Sequence, residues 1–416
     1  VTITVSNKPP ASSPGDLKAF EQRIKDFQAA NPNVTVNGSE IAWDPQTFAA
    51  QLAGGQLPTV VTVPFTEPQS MIQNKQISDI TADLKTIGLY DQLNPAALSV
   101  TQDKAGEVYG IPIGGYALGL VYNRALFTKA GLDPDKPPTT WDEVRAAAKT
   151  ISQKTGAAGY AQMTQNNTGG WMYGATVYSR GGTLESSDGS KAAFDDQSGK
   201  DALDALTQMR WTDNSMGTTF LYDMTSISKD FAADKIGMFI GAPVNYILAV
   251  VQDGMKPASF GLGTMPQGST AGGSMSGGAV QVISPKATAD QRLAGVKWIA
   301  FSLESSLDQA KAVAAAKLTA SQGLPVGLPG VSTLKATNDQ EYLGWVKSYI
   351  NVPLTNFATY SATVNSIKLT PEPSNKAQEV YAKLDALVQK ILTDKSADVA
   401  TELSNTSSAV NSLLGR

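Results

Sequence analysis

Between the turn Gly54-Gly55-Gln56-Leu57-Pro58 and Pro64 lies Val60-Val61-Thr62-Val63, and this short run limits the fold more than any other stretch of the chain. Four residues with one hydroxyl among them have no face suited to water. They predict a strand covered on both sides, the signature of a parallel sheet with helices above and below. The flanking chain agrees. Val1, Ile3 and Val5 alternate with Thr2 and Thr4 as a half-buried strand, and Asn7-Lys8-Pro9-Pro10 is loop. Ser13 is placed to cap a helix that starts at Pro14 and keeps Leu17, Phe20, Ile24 and Phe27 on one face until Asn31-Pro32 ends it. A strand over 34–36 and a short helix carrying Phe48 and Leu52 complete the alternation, which is the start of an α/β layer. The loop Pro64-Phe65-Thr66-Glu67-Pro68 then falls at a strand's carboxyl end, where open α/β sheets place their ligands.

The same grammar continues. Thr140 and Glu143 form a capping box for a helix bearing Val144, Ala147, Ala148 and Ile151 on one face, ended by Gly156. "FAADKIGMFIGAPVNYILAVV" reads as a helix end, a buried strand over 236–240, a Gly-Ala-Pro turn and a new helix with Asn245 and Tyr246 on its first turn. The small-residue stretch from Gly263 to Gly278 has two readings, a linker or a backbone brought close to a ligand. The last third is helical, with apolar faces through Leu293 to Leu303, Ala377 to Ile391 and Val399 to Leu413, interrupted at Gly323 to Gly330.

With 416 residues, enough for two or three domains, the chain contains neither Cys nor His. That removes disulfides, thiolate and imidazole metal ligands, and Ser-His or Cys-His catalysis, so no metal and no cofactor is expected. The formal net charge is −4 and basic residues do not cluster, which argues against nucleic acid as a partner. No run of about 18 apolar residues is present.

One block carries a resemblance. Tyr109-Gly110-Ile111-Pro112, Val121-Tyr122-Asn123, Leu126-Phe127, Ala130-Gly131-Leu132 and Pro137-Pro138-Thr139-Thr140-Trp141-Asp142-Glu143 closely resemble the signature of bacterial extracellular solute-binding proteins of ABC importers, in the branch that binds maltose and other oligosaccharides. "FQAANPNVTV", "QLPTVVTV", "YSRGGTL", "FAADKIGMFIGAP" and "ILTDKSADVATEL" extend the match over nearly the whole chain. Two positions depart from it: Thr59 stands where the family usually has Asp, and Val244 where relatives often carry a sugar-stacking Trp.

The resemblance implies an α/β, two-lobe periplasmic-binding-protein fold, type II-like, with lobes joined by hinge crossings and the ligand held in the cleft between them. The expected lobes are 1–113 plus 266–321, and 114–265 plus 322–416. The crossings are expected at Pro112 to Gly115, where glycines let the backbone turn, near Gly263 to Gly268, and near Ser321 to Gly327. The resemblance also implies export, either to the periplasm or to the cell surface as a lipoprotein anchored through a Cys upstream of Val1. A monomer that delivers a small carbohydrate to membrane permease subunits is expected.

A sugar presents a C–H face and a ring of hydroxyls, and is held by flat aromatics and planar polar groups. Trp171 is the leading candidate, at the position where relatives hold a stacking aromatic, and Tyr116 is next. Phe65, Thr66 and Glu67 occupy the strand-end loop, Trp43 with Asp44 one wall and Asn7 another; Asn245 and Tyr246 stand in for the missing Trp, and Gly277 and Gly278 offer backbone contacts. Trp141 and Trp298 read as structural, and Met71, Met209 and Met238 as core filler. Two rival functions remain open to such a chain: the same fold holding an amino acid, peptide or chelate, which needs a dedicated Arg or carboxylate, and a carbohydrate-active enzyme, which needs two carboxylates flanking one bond.

Overall fold

The computed structural model describes residues 1–44, 47–373 and 375–415. Its strands are β1 Thr2–Val5, β2 Thr35–Gly38, β3 Val60–Pro64, β4 Gly110–Ala117, β5 Gly119–Asn123, β6 Met238–Gly241, β7 Phe260–Gly263, β8 Ser274–Ile283 and β9 Leu369–Pro371. The chain divides into two compact units. Unit 1 comprises Val1–Gly115, Gly277–Lys317 and Val331–Ser348; unit 2 comprises Tyr116–Ser276, Leu318–Gly330 and the chain from Tyr349 on.

In unit 1 the strand order is β2-β1-β3-β8-β4. The two-sided burial expected of β3 is present and has a simple cause. Val60 joins Ile3, Val5, Phe27 and Trp298 in one core, while Val61 and Val63 join Phe48, Phe65, Val280 and Val282 in the other. The expected all-parallel setting holds on one side only. β3 meets β1 in parallel through Val5 and Val60, but pairs with β8 antiparallel from Val60↔Ile283 to Pro64↔Ala279. Helices covering both faces demand apolar residues at every position, whatever the direction of the neighbouring strand. Thr59, the departure from the family pattern, has a local role here: its hydroxyl accepts from the Thr4 backbone at 3.1 Å, and the Thr4 hydroxyl accepts from the Thr59 backbone at 2.9 Å.

The glycines before Tyr116 correct an expectation. Gly114 and Gly115 lie in extended β4 and neither has a positive φ, so they make no turn. Gly115 is required by packing, because a Cβ there would come within 3.0 Å of the Phe65 ring. The stretch from Gly263 to Gly278 is ordered. Its last residues, Ser274 to Gly278, form the first half of β8, and the Gln267 side chain holds the preceding loop by accepting from the N–H groups of Gly272 and Gly273 and donating to the carbonyls of Met265 and Gly273.

Unit 2 has a sheet of order β6-β5-β7, antiparallel throughout, and the short β9 pairs in parallel with Ser274 to Ser276. The capping box at Thr140 and Glu143 is formed, and the helix Trp141–Thr155 ends at left-handed Gly156. Helix Thr168–Ser179 packs on helix Ala377–Thr393 so closely that a Cβ on Gly170 would sit 2.4 Å from the Tyr381 carbonyl oxygen. Among the described residues, no helix is long and apolar enough to cross a membrane.

Candidate functional site

In unit 1 the strand-end loop gathers several of the expected residues. Phe65 is 2% exposed and belongs to the core, where Trp43 packs against the same cluster from a partly exposed position. The Phe65 N–H donates to the Gly278 carbonyl at 3.2 Å, which joins the end of β3 to β8. Gly278 has φ +155°, and a Cβ there would lie 2.2 Å from the Gly114 oxygen, so glycine is a steric requirement of the close strand approach. Beyond Phe65 the side chains turn outward. Thr66 and Glu67 are half-buried, and the Thr66 hydroxyl donates to Glu67 Oε1 at 2.9 Å. Burial raises the Glu67 pKa, and the Thr66 hydrogen bond partly opposes that shift. Asp44 is exposed and its Oδ1 accepts from the Thr47 N–H at 3.0 Å. Asn7 is exposed, with φ +61° just after β1, and Gly277 is buried in β8.

In unit 2 the structure pairs the two leading candidates. The rings of Tyr116 and Trp171 meet edge-on, with centroids 6.4 Å apart and planes at 90°. Both side chains are partly exposed, and the Trp171 Nε1 is buried with no hydrogen-bond partner among the described residues. Their positions have identifiable supports. Tyr116 follows Gly115 within β4, and the next residue is pinned by the buried Tyr360, whose hydroxyl donates to the Ala117 carbonyl at 2.8 Å. Trp171 sits in the first turn of its helix, whose free N–H groups are taken by Asp385 of helix Ala377–Thr393. Asp385 Oδ2 accepts from the Asn167 backbone at 2.8 Å and Oδ1 from that of Gly170 at 2.7 Å. Burial raises the Asp385 pKa, opposed by these backbone donors.

Two expected residues of unit 2 leave the candidate set, as Phe65, buried in the core, does in unit 1. Asn245 is 1% exposed, with Oδ1 accepting from the Ala242 N–H at 2.8 Å and Nδ2 donating to Ser228. Tyr246 is 3% exposed and packs edge-on against Phe260 at 5.2 Å and beside Phe357 at 5.7 Å. Both side chains are buried while Val244 beside them is exposed, so neither replaces a sugar-stacking Trp. Trp141 is structural as expected: its Nε1 donates to Ser179 at 2.9 Å, and the Arg180 guanidinium lies 4.5 Å over its ring. Trp298 is core, meeting Phe20 and Phe27 edge-on.

Sequence reading missed Glu372 and Tyr381. Glu372 follows β9 and is half-buried; Tyr381 is 1% exposed, and its hydroxyl donates to Glu372 Oε2 at 3.1 Å. Burial raises the Glu372 pKa, and burial followed by the Glu372 charge raises that of Tyr116. No local pattern marks Glu372, because its neighbours Tyr116 and Tyr381 come from distant parts of the chain. Among the described residues, no group of His, Cys, Asp or Glu is arranged to hold a metal ion.

Comparison with known proteins agrees with this architecture. A binding protein of Brucella abortus (strain 2308) is 26% identical over 276 residues, 60% of each chain; this chain therefore spans only about 60% of the length of that curated relative. The sn-glycerol-3-phosphate-binding periplasmic protein of Escherichia coli (strain K12) is 27% identical over 169 residues, 39% of this chain and 38% of that protein. The crystal structure of the cyclic alpha-maltosyl-1,6-maltose binding protein from Arthrobacter globiformis is similar in fold, with TM-score 0.71 over 100% of this chain and 99% of that one, at 22% identity. The family model for bacterial extracellular solute-binding proteins matches residues 11–306, and the chain belongs to that family.

Proposed function

We propose that this protein is the extracellular substrate-binding component of an ABC importer and that its solute is a neutral di- or oligosaccharide. The observation that carries this reading is the perpendicular, partly exposed pair Tyr116 and Trp171. A flat indole and a phenol at right angles suit a sugar ring, which needs an apolar wall and a polar flank together. The other partly exposed candidates, Thr66 with Glu67 and Trp43, lie in unit 1. A sugar that binds one conformation of the chain more tightly than another shifts the chain toward it, and that differential affinity is what would drive capture.

The candidate set speaks against a phosphorylated solute of the kind named for the Escherichia coli relative. Its half-buried ionisable groups are carboxylates, which repel phosphate, whereas phosphate recognition calls for Arg or Lys. Catalysis is no part of the proposal: the sugar is bound and released unchanged to permease subunits at the cell surface, by a monomer.

Thermal unfolding against neutral disaccharides and longer oligosaccharides, with amino acids, dipeptides and sn-glycerol 3-phosphate as controls, tests the reading. A sugar that binds only the folded chain adds about 2.7 kcal/mol at 100 times its Kd, which appears as a higher melting temperature. A response confined to a charged control would overturn the proposal, and a sugar recovered in cleaved form would make the protein an enzyme.

A further inference from the structure

Resting on the sugar reading of the unit 2 residues, we infer that Glu372 is a ligand-binding residue that accepts sugar hydroxyls and turns away anionic solutes. Glu372 comes directly after β9, whose last residue, Pro371, is in register with Ser276 of β8. The buried phenol of Tyr381 holds one of its oxygens, Oε2. This contact sets the orientation of the carboxylate, which makes Tyr381 a positioning residue. Among the described residues, nothing donates to the other oxygen, Oε1.

Two more polar atoms in the same unit are short of a partner. Trp171 Nε1 and Ser276 Oγ are both buried and make no hydrogen bond among the described residues. Buried polar atoms are nearly always paired, so a donor, a hydroxyl on the strand that β9 joins and a half-used carboxylate just after β9 form an unbalanced set within one unit. A polyol supplies the complement. Each of its hydroxyls donates to a carboxylate oxygen while accepting from an N–H or O–H. A phosphate or a second carboxylate supplies acceptors alone and would face Glu372 with like charge. The substrate class is thereby narrowed to neutral sugars with adjacent free hydroxyls.

The test is calorimetric titration of wild type, E372Q, E372D and Y381F at about pH 8, well above the ordinary carboxylate range. The probes are maltose, trehalose and their phosphorylated counterparts. E372Q is expected to lose about tenfold or more in affinity for the neutral sugar and to narrow the preference for neutral over phosphorylated sugar by a similar factor. E372D keeps the charge but not the reach, so it is expected to lose affinity while keeping the preference; it decides the matter if E372Q does not fold. Y381F is expected to lose a smaller factor, with the preference retained. Wild type that binds a neutral sugar, together with glutamine and aspartate variants that match it in affinity and preference, overturns this inference and leaves the sugar reading standing. Wild type that binds no neutral sugar of the wider panel and responds only to a charged control overturns both.

Discussion

Trp141 and Trp171 lie thirty positions apart in one unit, and their surroundings give them opposite uses. Trp141 is 6% exposed, with its indole N–H bonded to Ser179 and a guanidinium over its face, so every part of the ring is engaged within the protein. Trp171 keeps part of its ring exposed, has no partner for its N–H and is held upright by Tyr116 alone among aromatic neighbours on the described residues. Trp171→Ala is therefore expected to weaken sugar binding at least about tenfold, near 1.4 kcal/mol, with little change in melting temperature. Calorimetric titration checks it, and unchanged affinity would take Trp171 out of the site. Asn245 and Tyr246 show the limit of reasoning from single residues. Their polar and aromatic chemistry suits a sugar, but chemistry does not reveal whether a side chain is buried, and here both are.

At the scale of elements, one helix depends on a carboxylate outside it and another on a close approach. Asp213 joins helix Trp141–Thr155 through Arg145, with Nε to Oδ2 at 2.5 Å, and through Lys149 at 3.5 Å. The Arg145 hydrogen bond, foremost among the causes, holds the Asp213 pKa below its ordinary value. Because the native value is depressed, the unfolded chain binds the extra proton first as the pH falls. The stabilisation is thus full above the ordinary carboxylate pKa of about 3.9 and fades as the pH drops through the native value. Urea midpoints of wild type and D213N should differ near neutrality and draw together progressively as the pH falls below about 3.9; a gap that does not shrink in acid would mean that Asp213 acts through its shape. Helix Thr168–Ser179 makes the complementary case. Gly170→Ala would push a methyl into the Tyr381 backbone at 2.4 Å, where no side chain can yield, and is expected to cost about 1–3 kcal/mol in urea unfolding. The same substitution should also disturb sugar affinity, since the next residue is Trp171.

For the whole molecule, periodicity in the sequence was enough to place β1, β3, the capping box at Thr140 and the C-terminal helices, because each depends on local pattern and short-range hydrogen bonds. The signature block carries the resemblance to the solute-binding family in local sequence alone. The pairing of β3 with β8 joins residues more than two hundred positions apart, and no period of two or 3.6 reports the direction of such a partner. For the same reason Gly114 and Gly115 read as a turn in sequence but are extended strand, the small size of Gly115 being demanded by the Phe65 ring from far along the chain. Half of the unit 2 candidate site followed from its amino acids, since Tyr116 and Trp171 are the residue types a sugar face selects. Glu372 and Tyr381 did not, because a carboxylate becomes a binding group only when distant elements bury one side of it and hold it in place. By itself, the sequence determined the elements, the family and the chemistry absent from a chain without His or Cys. Tertiary structure alone decided which polar and aromatic side chains stay available to a solute, because burial and hydrogen-bond saturation depend on contacts that no local stretch contains.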